Sequence, residues 1–214
     1  MLFDYFDGGF YLNLDKRIER KEAFESRSKE AGFQVERFPA IQLKEEDVPN
    51  PFNGVNWHIK ISCTSSHFEM IKEAKRRGWK NCLIFEDDCI FEEGFMDKVK
   101  ICIEELKDMQ WDIFYMGGEP NGVCESVSTN LAKCTAGMYG THAYAINECF
   151  YNRIINIPHS LGVIDTLYMS QANRTYIVAK ELLALQDDNF ESDLWGGKIK
   201  REQLYKETYK KWIQ

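Results

Sequence analysis

No apolar run in this 214-residue chain approaches the roughly 18 residues that a membrane-spanning helix requires, so no membrane span is expected. Basic residues are in deficit, 27 Lys and Arg against 34 Asp and Glu, which leaves a net charge of −7. A surface of that sign repels a nucleic-acid backbone, and no nucleic acid is expected as a partner. The opening MLFDYFDGGF has acids and no basic stretch, unlike a secretory signal. The seven cysteines are odd in number, and the chain reads as having no CxxC pair and no short Cys/His spacing. Neither zinc nor a disulfide framework is expected. Most of the cysteines have apolar neighbours and read as small core residues in a reducing compartment, with the cytoplasm as the expected location.

What is present is ordinary globular composition: 44% hydrophobic and 29% charged residues, enough for one domain with a substantial core. Strand-like and helix-like patterns alternate. GFYLNL reads as a strand, and the charged DKRIERKEAFESRSKEAG reads as a helix stopped by Gly32. FQVERFPAI, NCLIFE, WDIFYMGG, THAYAI and TYIVAKELLALQDD read as further strands. TSSHFEMIKEAKRRGW reads as a helix capped by Thr64 or Ser65, and EEGFMDKVKICIEELKDM, NECFYNRIINI and GVIDTLYMSQAN as others. Residues 42–60 and 119–140 carry prolines and glycines and read as irregular. The alternation predicts an α/β fold, a mainly parallel central sheet flanked by helices in one domain over residues 1–197. The basic, amphipathic 198–214 reads as a terminal surface helix or the start of a linker.

The stretch CLIFEDDCIF places Glu86, Asp87 and Asp88 at the end of an apolar strand. Three adjacent carboxylates repel one another, so they either reach solvent in a turn that caps the next helix or meet a positive charge. Ligands of open α/β sheets gather beyond the carboxyl ends of the strands. Carboxylates one residue apart on a turn there suit a hard divalent ion that keeps positions open for phosphate oxygens.

Several segments together resemble the GT-A-fold glycosyltransferases, most closely family 25, which includes lipopolysaccharide glycosyltransferases and procollagen galactosyltransferases. These are YLNLDKRIERKEAF, SCTSSHFEMIKEAKRRGWKNCLIFEDD, WDIFYMGG, THAYAI, VIDTLY and LQDDNFESD, in the family's order from residue 11 to about 193. Enzymes of this type are also encoded by large DNA viruses that glycosylate their own capsids. The resemblance implies a DxD-like motif in which Asp88 holds Mn²⁺ (or Mg²⁺). Glu86 would be a second or water-mediated ligand, and Asp87 would contact the nucleotide ribose. It implies that Asn13 approaches the nucleobase and that Arg17 and Arg20 reach phosphate or ribose of a nucleotide sugar; the same arginines on a charge-rich helix also read as a solvated face. Ser66 and His67 match a Ser-His pair at the start of the second helix, where either nucleotide binding or simple capping would use them. Asp165 is the candidate general base for an inverting transfer, with helix capping as the alternative. His142 is a second catalytic candidate or a satisfied core histidine. Asp187 or Asp188, or water, could stand in for a missing third metal ligand, and Asp187, Asp188 and Asp193 are, with His142, the next candidates for the base. Gly117 and Gly118 permit a close backbone approach or a tight turn.

The expected activity is metal-dependent transfer of a sugar from a UDP-linked donor to a hydroxyl of a glycan or glycoprotein. A nucleotidyltransferase would share the fold type, but NLDKRIERKE lacks the glycine-rich loop such an enzyme uses. A degenerate module that binds nucleotide or partner without turnover is the other reading.

Overall fold

The computed structural model describes residues 4–50, 56–191 and 202–213. In chain order the elements are β1 (Gly8–Asn13), α1 (Ile18–Glu30), β2 (Glu36–Pro39), α2 (Trp57–Arg76), β3 (Asn81–Glu86), β4 (Cys89–Phe91), α3 (Phe95–Leu106) and β5 (Ile113–Tyr115). Then follow β6 (Glu119–Pro120), β7 (Cys124–Ser126), β8 (Leu131–Cys134), β9 (Met138–Tyr139), β10 (Ala143–Asn147), α4 (Glu148–Ile155), α5 (Ile164–Met169), β11 (Tyr176–Ala179), β12 (Ala184–Gln186) and α6 (Glu202–Trp212).

The central sheet has eight strands in the order β2-β1-β3-β10-β5-β11-β8-β7. Six run one way, while β10 and β8 pair antiparallel with both of their neighbours. The inner strands are continuous apolar runs because helices cover both faces. Successive β3 residues show this directly. Leu83 and Phe85 pack with Phe24 of α1 and Phe95 and Val99 of α3. Cys82 and Ile84 join the opposite layer, with Phe68 and Ile71 of α2, Phe150 of α4 and Tyr168 of α5. A small antiparallel pair, β12 with β4, lays residues 184–186 beside the chain that follows the acidic turn.

Three local readings are corrected. The second helix begins at Trp57, with Asn56 in a left-handed conformation before it (φ 55°), not at Thr64 or Ser65. Trp57 and Ile61 pack with Val48, so apolar contact extends the helix by two turns. Thr64 and Ser66 instead turn their hydroxyls back onto the carbonyls of Lys60 (3.1 Å) and Ser62 (2.7 Å), as Ser and Thr do inside helices. Residues 119–140 contain β6, β7, β8 and β9, and two of those strands extend the main sheet. Cys124 and Cys134 stand opposite each other across β7 and β8 and form a disulfide, Cα–Cα 4.5 Å. The expectation that the cysteines are unpaired therefore fails at this pair. Cys82, Cys89 and Cys102 are the buried, free core residues expected.

Within the terminal segment, α6 docks on the rest of the chain, with Tyr205 and Tyr209 buried. Among the described residues, no helix is long and apolar enough to cross a membrane.

Candidate functional site

A cavity of about 270 Å³ opens at the carboxyl ends of β1 and β3, lined by Asn13, Arg20, Cys63, Ser66 and the three acids Glu86, Asp87 and Asp88, among others. The sheet builds this wall by register: Leu12 of β1 stands opposite Glu86 of β3. The Asp87 amide then donates to the Leu12 carbonyl (3.1 Å), which continues the ladder into the turn.

The positive charge that the triplet requires is Arg20, buried on α1. Its guanidinium pairs with Asp87 and lies 3.2 Å from Asp88. Asn13 donates to the other Asp87 oxygen (2.6 Å) and accepts from Arg37 (2.9 Å). Asp87 is buried with both oxygens engaged, so in this structure it locks β1, α1 and the turn together. Burial raises its pKa to about 6 against the opposing effects of Arg20 and Asn13. Asp88 is also pushed up, first by burial and then by the charge of Glu86, with Arg20 opposing. Its Oδ2 accepts from Gln186 (3.3 Å), while its Oδ1 is buried with no hydrogen-bond partner among the described residues.

Glu86 turns the other way. Its Oε1 accepts from Thr141 (2.8 Å) and lies 3.6 Å from His67 Nε2. Burial works against its ionisation, but His67, His142 and Thr141 outweigh burial and hold the carboxyl below its ordinary range. Cys63 joins this corner. Burial, with the nearby carboxylates adding to it, raises its thiol well above the ordinary value.

The remaining expected residues are placed as follows. Arg17 lies at the start of α1 with its guanidinium 3.7 Å from Glu19, and it is not among the residues lining the cavity. Ser66 and His67 are in the body of α2, two turns past its start, so no helix N-terminus is available there for a nucleotide. The Ser66 hydroxyl accepts from the Ile41 amide (2.9 Å) and so holds the segment after β2 against the cavity. His142 is fully buried, its ring stacked on Tyr205 (5.5 Å) and its Nε2 3.3 Å from the Ala184 carbonyl oxygen. Asp165 sits in the first turn of α5, not at its cap, and accepts from the Thr166 amide (2.8 Å). Burial raises its pKa, with backbone amides of Thr166 and Gly140 opposing. Asp187 pairs with Arg27 and donates its amide to the Asp88 carbonyl (2.8 Å). Asp193 lies outside the described residues. A Cβ at Gly117 would collide with the Ala184 carbonyl and the His142 ring, so the close-approach reading applies to this glycine.

Gln186, Thr141, Cys63 and Tyr205 were not expected at the site. Tyr205 donates to Gln186 Oε1 (2.7 Å), which links α6 to Asp88 through one side chain. Cys63 and His67, four residues apart, form a short Cys/His spacing that could have been read from the sequence.

The metal expected at the turn can be tested against these contacts. A buried carboxylate oxygen without a hydrogen-bond partner among the described residues, on an aspartate that lines the cavity, is the hard oxygen donor that Mn²⁺ or Mg²⁺ takes, and the residues fit such an ion.

A model of the family described as glycosyltransferase family 25 (LPS biosynthesis protein) matches residues 7–121, more than half of the chain. A Drosophila melanogaster protein named glycosyltransferase 25 family member is 32% identical over 124 residues, covering 50% of this chain and 20% of that protein. A Homo sapiens protein named inactive glycosyltransferase 25 family member 3 is 26% identical over 129 residues, covering 52% of this chain and 22% of that protein. This chain thus spans about a fifth of the length of those relatives. The solved structure of a glycosyltransferase involved in the glycosylation of the major capsid of PBCV-1 aligns at a TM-score of 0.39 and 9% identity, over 78% of this chain and 66% of that one.

Proposed function

Starting from a chain that belongs to glycosyltransferase family 25, we propose that it transfers a sugar from a UDP-linked donor to a hydroxyl of a glycan or glycoprotein, with inversion and with Mn²⁺ (or Mg²⁺). The observation that carries this reading is the acidic turn at the end of β3, opening into a cavity large enough for part of a nucleotide sugar.

In this reading Asp88, whose Oδ1 is buried without a hydrogen-bond partner among the described residues, would hold the ion, which would supply positive charge to a leaving diphosphate. Arg20 and Asn13 keep the turn in place before any donor arrives, which limits reorganisation during the reaction. Gln186 fixes the second Asp88 oxygen. Asp165 takes the acceptor proton, and burial favours that role because a carboxylate with a raised pKa is the stronger base.

A member of the family named inactive favours keeping the binding-module reading as a second one. Release of UDP from a panel of UDP-sugars, measured with Mn²⁺ and with EDTA, separates the two. Turnover with Mn²⁺ supports the transferase. A donor that raises the melting temperature yet releases no UDP with any hydroxyl acceptor supports the binding module.

A further inference from the structure

The α2 wall of the cavity carries a second constellation of different chemistry. One ligand atom each from Cys63, His67 and Glu86 lies within 4.8 Å of the others. Cys63 and His67 are one helical turn apart on α2, and Glu86 arrives from the end of β3. His67 Nε2 and Glu86 Oε1 are 3.6 Å apart. Tetrahedral zinc, with bonds of about 2.0–2.3 Å, sets its ligand atoms roughly 3.3–3.8 Å from one another, so that pair already has the required spacing.

The histidine is aimed. Its ring is fully buried, with Nδ1 2.9 Å from the Tyr144 hydroxyl, which is 2.8 Å from the Tyr168 hydroxyl. Ligating histidines are commonly oriented in this way through the other ring nitrogen. Nε2 points towards Glu86 and Cys63, buried and with no hydrogen-bond partner among the described residues. An unsatisfied buried nitrogen costs free energy that a bound ion would recover. Thr141 donates to the same Glu86 oxygen, Oε1, that faces His67 (2.8 Å), which fixes the carboxylate and leaves Oε1 a further lone pair and Oε2 free to turn to an ion. Cys63 and Glu86 also line the cavity, so a fourth position would face it.

We propose that Cys63, His67 and Glu86 form a site for a thiophilic divalent cation of the Zn²⁺ class, separate from the oxygen donor of Asp88. A sulfur, nitrogen and carboxylate set selects such an ion, whereas Mn²⁺ and Mg²⁺ prefer oxygen. On binding, the Cys63 thiol releases its proton to solvent and its thiolate bonds to the metal. Three protein ligands and one open position are the pattern of a reactive or exchangeable zinc site, not of a closed structural one.

Co²⁺ titrated into the metal-stripped full chain tests this without reference to turnover, so its outcome is independent of the transferase reading. One equivalent of Co²⁺ should produce a thiolate-to-cobalt charge-transfer band, and Zn²⁺ should abolish it. Cys63→Ser should remove the band and weaken Zn²⁺ binding at least about tenfold, with its circular dichroism unchanged. Asp88→Asn should keep the band. The proposal is overturned by a wild-type chain that shows no thiolate band, by a Cys63→Ser chain with undiminished band or Zn²⁺ affinity, or by loss of the band in Asp88→Asn.

Discussion

Arg20 lies 3.2 Å from Asp88 while the same guanidinium pairs with Asp87, although α1 and the β3 turn are more than 60 residues apart in the chain. The chain thus carries its own counter-ion for the acidic turn. Any divalent ion that binds beside it adds to a site already partly neutralised.

Arg20→Met should therefore destabilise the protein without ligand by about 3–5 kcal/mol, because it leaves the buried Asp87 and the partly buried Asp88 without their cation. Mn²⁺ should recover part of that loss. Urea unfolding of both proteins, with and without Mn²⁺, measures the two effects, and an unchanged midpoint for Arg20→Met would remove Arg20 from this role.

Asp88→Asn and Asp165→Asn should fail differently. The first should weaken donor binding as well as turnover, because a neutral amide holds a cation poorly. The second should bind donor normally and lose turnover by roughly 10²–10⁴. Burial raises the folded-state pKa of Asp165, so the folded protein holds that proton more tightly than the unfolded chain does. Stability from this group is then present at low pH and declines as pH rises through the folded pKa. Asp165→Asn should accordingly melt no lower than wild type near pH 7. Calorimetric donor titration beside initial rates and melting curves checks all three outcomes, and equal loss of donor binding in both variants would place Asp165 in the donor site.

Donor affinity itself should depend on the ion. In EDTA the dissociation constant for the preferred UDP-sugar should rise at least about tenfold, since the diphosphate then meets carboxylates without a bridging cation. Titration calorimetry in chelator reads this directly, and undiminished affinity would exclude an ion from donor binding.

Tyr205→Phe removes one hydroxyl, 2.7 Å from Gln186, and leaves the ring that stacks on His142. It should cost about 1 kcal/mol of stability, the usual worth of one hydrogen bond. Donor affinity should fall a few-fold as Gln186 loosens on Asp88. A drop in stability with donor affinity intact would make α6 a structural cover only.

Gly117→Ala should destabilise by about 1–3 kcal/mol, the cost of an added methyl where the backbone already touches Ala184 and His142. Thermal melting measures it, and a neutral effect would mean that the Gly117 and Ala184 backbones can separate there.

Much of this was legible in the sequence because it is local. NCLIFE is a strand with the boundaries its apolar run marks, and Glu86–Asp88 follow it at the sheet's carboxyl edge. Helix α1 ends before Gly32, whose φ of +89° is the left-handed value a glycine stop supplies. The start of α2 was not legible. Thr64 and Ser65 look like caps, and only the packing of Trp57 and Ile61 against Val48 carries the helix past them. The strands within 119–140 were hidden for a related reason: two to four residues long, they are held by sheet neighbours and a cross-strand disulfide, not by their own pattern.

Composition, periodicity and the order of motifs were sufficient to determine an α/β chain with a carboxylate turn at a strand end, because propensity and patterning act over a few residues. Tertiary structure alone decided what each carboxylate meets. Asp87 and Asp88 received Arg20, Asp88 received Gln186, and Glu86 received Thr141 and His67. Those partners come from α1, β12, the segment before β10 and α2, and it is the pairing of β1, β3, β10 and β12 that brings them to one edge of the sheet. Contacts between residues so distant in sequence leave no periodic trace in it.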